Sequence, residues 1–423
     1  MNIPATNLPR IVILGGGFAG LKLALSIKSK LAQVVLIDKN NYHTFQPLMY
    51  QVATAGLEPD SIAYPIRKVF RNKRNFYFRW ATVTSIDVVN KQIDTSIGKI
   101  GYDYLVIATG AVTNYFGNKS LEENSVPMKS LTEALDIRSM VLQNFEQALN
   151  VTDENERKAL LNVVIAGAGP TGVELAGAFA ELRRHILAKD YPDLDISKMQ
   201  IHLIEAAPRV LAAMSNNASV KAEKSLLGMG IVIHKNVRVE SYDGFSLHAG
   251  ELKLQTRTLI WAAGVKGAPV EGLPTARIKG GRIEVNEFNG INEIDNVFAI
   301  GDVAVQASEK FPAGYPMLAS VANQQGKQLG RNFNRLLRGK KMETFTYKDK
   351  GTMATIGRNS AVVDLSFWKF SGFFAWLVWM FVHLMLLVSF RNRVVVLVNW
   401  MWSYFSYDKG TRLIIRKFKK SKN

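Results

Sequence analysis

Three glycines stand at Gly15, Gly17 and Gly20 behind the apolar run Ile11 to Leu14, and three more at Gly167, Gly169 and Gly172 behind Val163 to Ala166. This GxGxxG spacing suits phosphate recognition. The first glycine makes a tight turn, the second lets backbone approach a pyrophosphate, and the third lets a helix pack on its strand. The helix N-terminus then faces the phosphates. A carboxylate completes each arrangement: Asp38 ends "QVVLID" and Glu205 ends "QIHLIE", each placed to accept hydrogen bonds from a ribose. Glu205 lies farther from its glycines than the usual ~20 residues, because "RRHILAKDYPDLDIS" lengthens the crossover without changing its topology.

Such chemistry needs a strand, a turn and a helix in that order, and "RIVILGGGFAGLKLALSI" and "NVVIAGAGPTGVELAGAFAEL" both read that way. Each unit closes on an apolar strand and a small-residue turn, "YDYLVIATGA" through Gly110 and "TRTLIWAAGV" through Gly264. Two accidental glycine turns in one large domain would not explain these paired features. A third glycine site follows in "NVFAIGDVA", where the strand Val297 to Ile300 runs into Gly301 and Asp302 and then an expected helix. Asp302 reads either as a helix N-cap or as the group holding the polyol or phosphate of a large cofactor. The fold class expected is α/β, with two Rossmann-like dinucleotide-binding domains plus a C-terminal membrane-associated helical segment.

Composition narrows the chemistry. The 423 residues include no cysteine, which excludes disulfides, iron–sulfur clusters and dithiol redox mechanisms. The six histidines lack the spacing of a metal site, so no metal is expected. A net charge of +18 calls for an anionic partner, and its placement favours membrane over nucleic acid. Arg412, Arg416, Lys417, Lys419, Lys420 and Lys422 follow an apolar segment directly, where each cation near an anionic leaflet contributes about 1 kcal/mol. "IRKVFRNKR" (Ile66 to Arg74) is a second basic cluster, read first as a solvated helix surface. "MNIPATNLPRIVILGGG" reads as neither signal peptide nor anchor, so a cytosolic start is expected.

The order GxGxxG, ATG, GxGxxG, AAG, GD resembles the two-dinucleotide-binding-domain flavoproteins. Within them, "HTFQPLMYQVATAGL", "GPTGVELAG", "LASVANQQG" and "DKGTMATIGR" are similar to the type II NADH:quinone oxidoreductases over nearly the whole chain. One departure is Ser320, which stands where that family's first AQxAxQxG glutamine usually stands. The resemblance implies a non-covalent FAD in the first unit, with Asp38, Gln46, Thr109, Gly110, Gly301 and Asp302 among its contacts. It implies NADH in the second unit, held by Gly167, Gly169, Gly172, Glu205 and Gly264. Glu205 would repel a 2′-phosphate, although Arg209 nearby could welcome one. It places Glu174 beside nicotinamide and flavin, to position NADH or relay a proton, against the plain reading of an acid at a helix start. Lys350, Gly351, Gln324 and the loop with Gln46, Pro47, Tyr50 and Gln51 would line the isoalloxazine and a quinone tunnel. Core packing competes for that loop. Glu174, Gln324 and Lys350 are the expected catalytic residues.

The implied reaction carries hydride from NADH to flavin and two electrons on to ubiquinone or menaquinone, without proton pumping. The expected division is 1–115 with 266–345 for FAD, 116–265 for NADH, and 346–423 for the quinone site and anchor. From Leu365 to Tyr407 only Lys369, Arg391 and Arg393 are charged, and five of the seven tryptophans lie there. Tryptophan favours the headgroup level. "FFAWLVWMFVHLMLLVSF", Phe373 to Phe390, reaches the lower end of a spanning length, roughly 17–25 residues, whereas "VVVLVNWMWSYF" is too short. Helices embedded in one leaflet at the cytoplasmic face of the cell membrane are therefore expected, with a single span as the alternative and homodimerisation left open. Other open readings are a soluble NADH-dependent reductase of ferredoxin or oxygen, and a membrane-bound NADH-sensing flavoprotein.

Overall fold

The computed structural model describes residues 1–408 and 410–418, so Lys419, Lys420 and Lys422 of the basic tail lie outside the described residues. The chain divides into two compact units, one of residues 1–44, 63–112 and 265–349, the other of residues 45–62, 113–264 and 350–423.

The first unit is built on a five-stranded parallel sheet in the spatial order Val297–Ala299, Tyr104–Ile107, Arg10–Leu14, Gln33–Asp38, Phe76–Trp80. Ile11, Val12, Ile13 and Leu14 are all buried, as a parallel strand covered on both faces requires. The helix Phe18–Ser26 packs against the helix Ala319–Leu336 through glycines. A Cβ on Gly326 would lie 2.3 Å from the Ala19 carbonyl oxygen, and one on Gly330 2.5 Å from Ser26 Cβ. Gly301 and Asp302 themselves form a single 3-10 turn, Gly301–Val303, followed by a two-residue strand. The expected helix is absent there because the buried Gln325 side chain accepts the Gly301 N–H at 2.8 Å and holds the turn.

The second unit repeats the plan. Its parallel sheet runs Val126–Pro127, Thr258–Trp261, Val163–Ala166, Ile201–Glu205, Ile231–Lys235. The helix Pro170–Leu182 follows the glycine turn and continues into a π-helical turn, Arg183–Leu187, where the long crossover begins. Residues 350–423 add an antiparallel sheet of Thr352–Thr355, Ala361–Asp364 and Lys369–Gly372, then two helices. Asp364 fastens this addition, accepting hydrogen bonds from Ser215 N at 2.6 Å and Ser215 Oγ at 2.8 Å. Ser215 in turn caps the helix Asn216–Gly228.

The apolar stretch from Phe373 is not one helix. It runs as helix Phe373–Leu386, breaks, and resumes as Phe390–Ser406, taking in the second apolar run. Among the described residues no helix is long and apolar enough to cross a membrane, which removes the single-span alternative there. Each helix has a buried edge, at Ala375, Trp379 and His383 on one and at Asn392 and Val396 on the other. Asn392 Nδ2 donates to the carbonyls of Asp60 and Ser61 at 2.9 and 3.0 Å.

Candidate functional site

The glycine turns carry three distinct backbone duties in each unit. Gly15 sits at φ +105°, and a Cβ there would meet the Ala108 carbonyl oxygen at 2.3 Å; Gly167 sits at φ +101°, 2.6 Å from that of Ala262. Gly20 and Gly172 let the helix close on the turn, since a Cβ would fall 1.9 and 1.8 Å from the carbonyl oxygens of Gly15 and Gly167. Gly17 and Gly169 meet nothing within 4 Å, so the backbone between them and the helix N-terminus is open to a ligand. Each turn is also tied to its strand-end acid. Gly16 N donates to Asp38 Oδ2, and Ala168 N donates to Glu205 Oε2 at 2.6 Å. Asn40 N and Ala207 N bind the second oxygens of those carboxylates. Burial holds the Asp38 carboxyl above its ordinary range, the two backbone donors offsetting part of that. These cradles fit dinucleotides: open backbone for phosphate, and a carboxylate with spare lone pairs for ribose.

Other expected contacts are placed differently. Gly110, at φ +73°, faces open space, but Thr109 Oγ1 donates to the Ala268 carbonyl at 2.6 Å, which leaves its backbone for a ligand. Gln46 is exposed at the 3-10 turn Gln46–Leu48. A Cβ on Gly264 would lie 2.9 Å from the Phe116 ring. Gln324 uses both ends of its amide on one residue, donating to the Lys348 carbonyl at 2.9 Å and accepting the Lys348 N–H at 3.1 Å. Ser320, in the departing position, pairs its hydroxyl with Tyr347 Oη at 2.9 Å. Lys350 is exposed, next to Gly351 at φ +82°, where a Cβ would strike the Asp364 carbonyl oxygen at 2.4 Å.

Glu174 has the most unusual surroundings. It projects from the helix Pro170–Leu182 into a cavity of about 100 Å³ whose walls include Tyr50, Gln51, Trp379 and Trp400. Gly177 permits this packing, since a Cβ there would lie 3.1 Å from Gly357 N and Ile356 C. Only 8% of Glu174 is exposed, and the Thr355 N–H reaches it only across a long 3.5 Å. Desolvation therefore dominates, pushing the carboxyl from 4.5 up to about 8; the Thr355 N–H and the Trp379 indole offset only part of this. Trp379 Nε1 is itself buried without a partner of good hydrogen-bond geometry. Burial thus favours the protonated carboxylic acid, a form able to donate a proton.

A relay of polar groups borders the acid. Trp400 Nε1 donates to Gln51 Oε1 at 2.8 Å, and Gln51 Nε2 donates to Tyr50 Oη at 2.8 Å. Burial, with Glu174 as the next cause, raises the Tyr50 phenol well above its ordinary value. His383 stacks on Trp379 at 4.2 Å, and burial lowers it to about 4, so it stays neutral. On the far side Glu181 accepts the Arg358 N–H, while the Arg358 guanidinium donates to the carbonyls of Tyr404 and Ser403 at 2.9 Å each. Trp379 is one of the five tryptophans expected at the headgroup level, yet it is 2% exposed, whereas Trp368 and Trp402 stand 52% and 67% exposed. The signal was present in Trp376, Trp379 and His383, whose 3, 4 spacing marks one helix face.

Comparison with known proteins identifies the family. The family model described as pyridine nucleotide-disulphide oxidoreductase matches residues 9–326, and the model of the NDH2 C-terminal domain matches residues 350–406. A type II NADH:quinone oxidoreductase of Mycobacterium tuberculosis is 34% identical over 418 residues, covering 95% of this chain and 89% of that protein. One from Staphylococcus aureus is 30% identical over 370 residues, covering 85% and 90%. The solved structure of NDH2 from Plasmodium falciparum in complex with NADH, 23% identical, covers 96% of this chain and 100% of that one with a TM-score of 0.88, which supports the fold. The chain carries the paired nucleotide cradles of the pyridine nucleotide-disulphide oxidoreductases without any cysteine, and it belongs to the type II NADH:quinone oxidoreductases.

Proposed function

We propose that this chain oxidises NADH and reduces a membrane quinone by way of FAD, without pumping protons. The observation that carries the reading is Glu174, a carboxyl buried within an aromatic cavity. Bound FAD supplies the hydride acceptance and the onward electron transfer. Gly15, Gly17 and Gly20 with Asp38 and Gly301 hold that cofactor, and Gly167, Gly169 and Gly172 with Glu205 hold NADH. Glu174 donates to the quinone oxygen or passes a proton toward it. Gln324 acts by fixing the backbone at Lys348. The direct test is anaerobic assay of the purified holoenzyme with ubiquinone and menaquinone analogues. Continuous turnover with one NADH consumed per quinone is expected, whereas a single reduction followed by a stall would mark a sensor.

Glu205 sets the coenzyme preference in this reading. Its carboxylate is already oriented by Ala168 N and Ala207 N, so a 2′-phosphate would meet a fixed negative charge. Arg209 is engaged elsewhere, donating to the Ala212 carbonyl at 2.8 Å. Glu205→Gln is expected to raise the kcat/KM for NADPH about tenfold, the effect of removing roughly 1.4 kcal/mol of repulsion. An unchanged NADH-to-NADPH ratio would assign the discrimination to other residues.

The helices Phe373–Leu386 and Phe390–Ser406 rest in one leaflet in this reading, at the cytoplasmic face. Phe374, Phe381, Leu386, Phe390, Trp402 and Phe405 are all more than half exposed. So large an apolar surface on a soluble face marks an interaction site, and Arg391, Arg393 and Lys417 supply cations suited to anionic headgroups.

A further inference from the structure

Reduction of a quinone by NADH draws one proton from water in each turnover. The hydride brings two electrons and one proton, and the quinol holds two electrons and two protons. A carboxyl as buried as Glu174 needs a path by which that proton is restored, and its own helix carries the candidates. Glu181 lies seven residues on, about 10 Å along the axis and on the same face. Both carboxyls line the one cavity. A volume of about 100 Å³ holds about three waters at their liquid volume, enough to bridge that distance. His185 stands four residues further, within the π-helical turn Arg183–Leu187, a distortion that recurs at functional sites.

We propose that Glu181 is the solvent-side carboxyl of a proton path, passing protons through the cavity water to Glu174 and refilled from water beside His185. The inference rests on the role given above to Glu174. Glu181 suits the task because it is half-buried, meeting both solvent and cavity. It accepts a hydrogen bond from Arg358 N, which fixes the carboxyl without neutralising it. The charged and titratable groups around it are Glu174, Arg184 and His185 on its own helix, Tyr50 from the 45–62 segment, and Arg358 with Tyr404 from the C-terminal segment. Burial and the cations Arg184, Arg358 and Lys189 lower His185, while Glu181 acts in the opposite sense, so the two are in electrostatic contact. In each transfer the Glu181 O–H bond breaks as a water accepts its proton. The last water of the chain protonates the Glu174 carboxylate, and bulk water reprotonates Glu181.

The test compares wild type, Glu181→Gln and Glu181→Asp as FAD-loaded holoenzymes. The amide of Gln keeps an acceptor for Arg358 N, so folding and flavin reduction by NADH should be unchanged. Quinone-driven reoxidation should slow on the order of 10²-fold, the low end for positioned proton transfer. Its solvent isotope effect should rise, its alkaline pH limb should move down, and Asp should restore much of the rate. Wild-type reoxidation with an unaltered isotope effect in Glu181→Gln overturns the proposal, as does an equal loss of flavin reduction by NADH, the mark of a structural role. Glu174→Gln in the same experiment separates the two claims. If it slows reoxidation and Glu181→Gln does not, the path fails while the role of Glu174 stands; if neither slows it, both fall.

Discussion

Glu174→Gln is expected to retain FAD, to accept hydride from NADH, and to lose about 10²–10³-fold in quinone-dependent turnover, as removal of a positioned acid does. The same substitution should make the protein more stable at alkaline pH. The unfolded carboxyl titrates at its ordinary 4.5 and the folded one at about 8. Across that window the unfolded chain releases a proton that the folded chain keeps, so stability falls as pH rises and levels off above the folded value. At about 1.4 kcal/mol per unit the burial of this acid destabilises the fold by a few kcal/mol above pH 8. Glutamine does not titrate, so its advantage should be small near pH 5 and largest near pH 9, read as the difference in Tm between the two proteins. A variant that loses FAD would assign Glu174 a structural role, and a Tm difference no larger at pH 9 than at pH 5 would contradict the raised titration of its carboxyl.

The two cradles were legible because their physics is local. A φ near +100° at Gly15 and Gly167, a helix closing on a carbonyl at Gly20 and Gly172, and an acid at a strand end all leave their mark within one strand-turn-helix segment. The cavity was not legible, because its walls come from three distant stretches of chain, residues 45–62, 170–182 and 355–404. Glu174 could be singled out by its place in "GPTGVELAG", but its desolvation depends on Trp379, two hundred residues away and read as a membrane anchor. Apolar composition alone does not separate a tryptophan that packs from one that faces lipid. The break after Leu386 was hidden for a similar reason: residues 387–389 are mostly apolar, and no glycine or proline announces the stop.

Because Trp379 walls the cavity, stopping the chain after Asp364 would expose Glu174 and strip the core at Ala375, Leu387 and Val396. The surface is better tested alone. A quadruple variant, Phe381→Ser, Phe390→Ser, Trp402→Ser and Phe405→Ser, removes side chains that are 64%, 78%, 67% and 78% exposed and leaves the buried edge intact. It should bind FAD and reduce ferricyanide with NADH at the wild-type rate. Flotation with anionic vesicles should be lost, and turnover with a long-tailed quinone in those vesicles should fall at least about 100-fold, since burying four such side chains is worth several kcal/mol. Wild-type flotation would exclude these faces as the anchor. Loss of a dimer, with flotation kept, would give the surface to a second copy of the chain.

The most direct measurement is the pH dependence of flavin reoxidation by quinone in the wild-type holoenzyme, after reduction by one equivalent of NADH. If protonated Glu174 is the donor, the rate should be level below neutrality and fall as pH rises through about 8, a limb that Glu174→Gln lacks. A rate that stays level past that pH in the wild type, or an identical limb in the variant, would contradict Glu174 as the acid that serves the quinone.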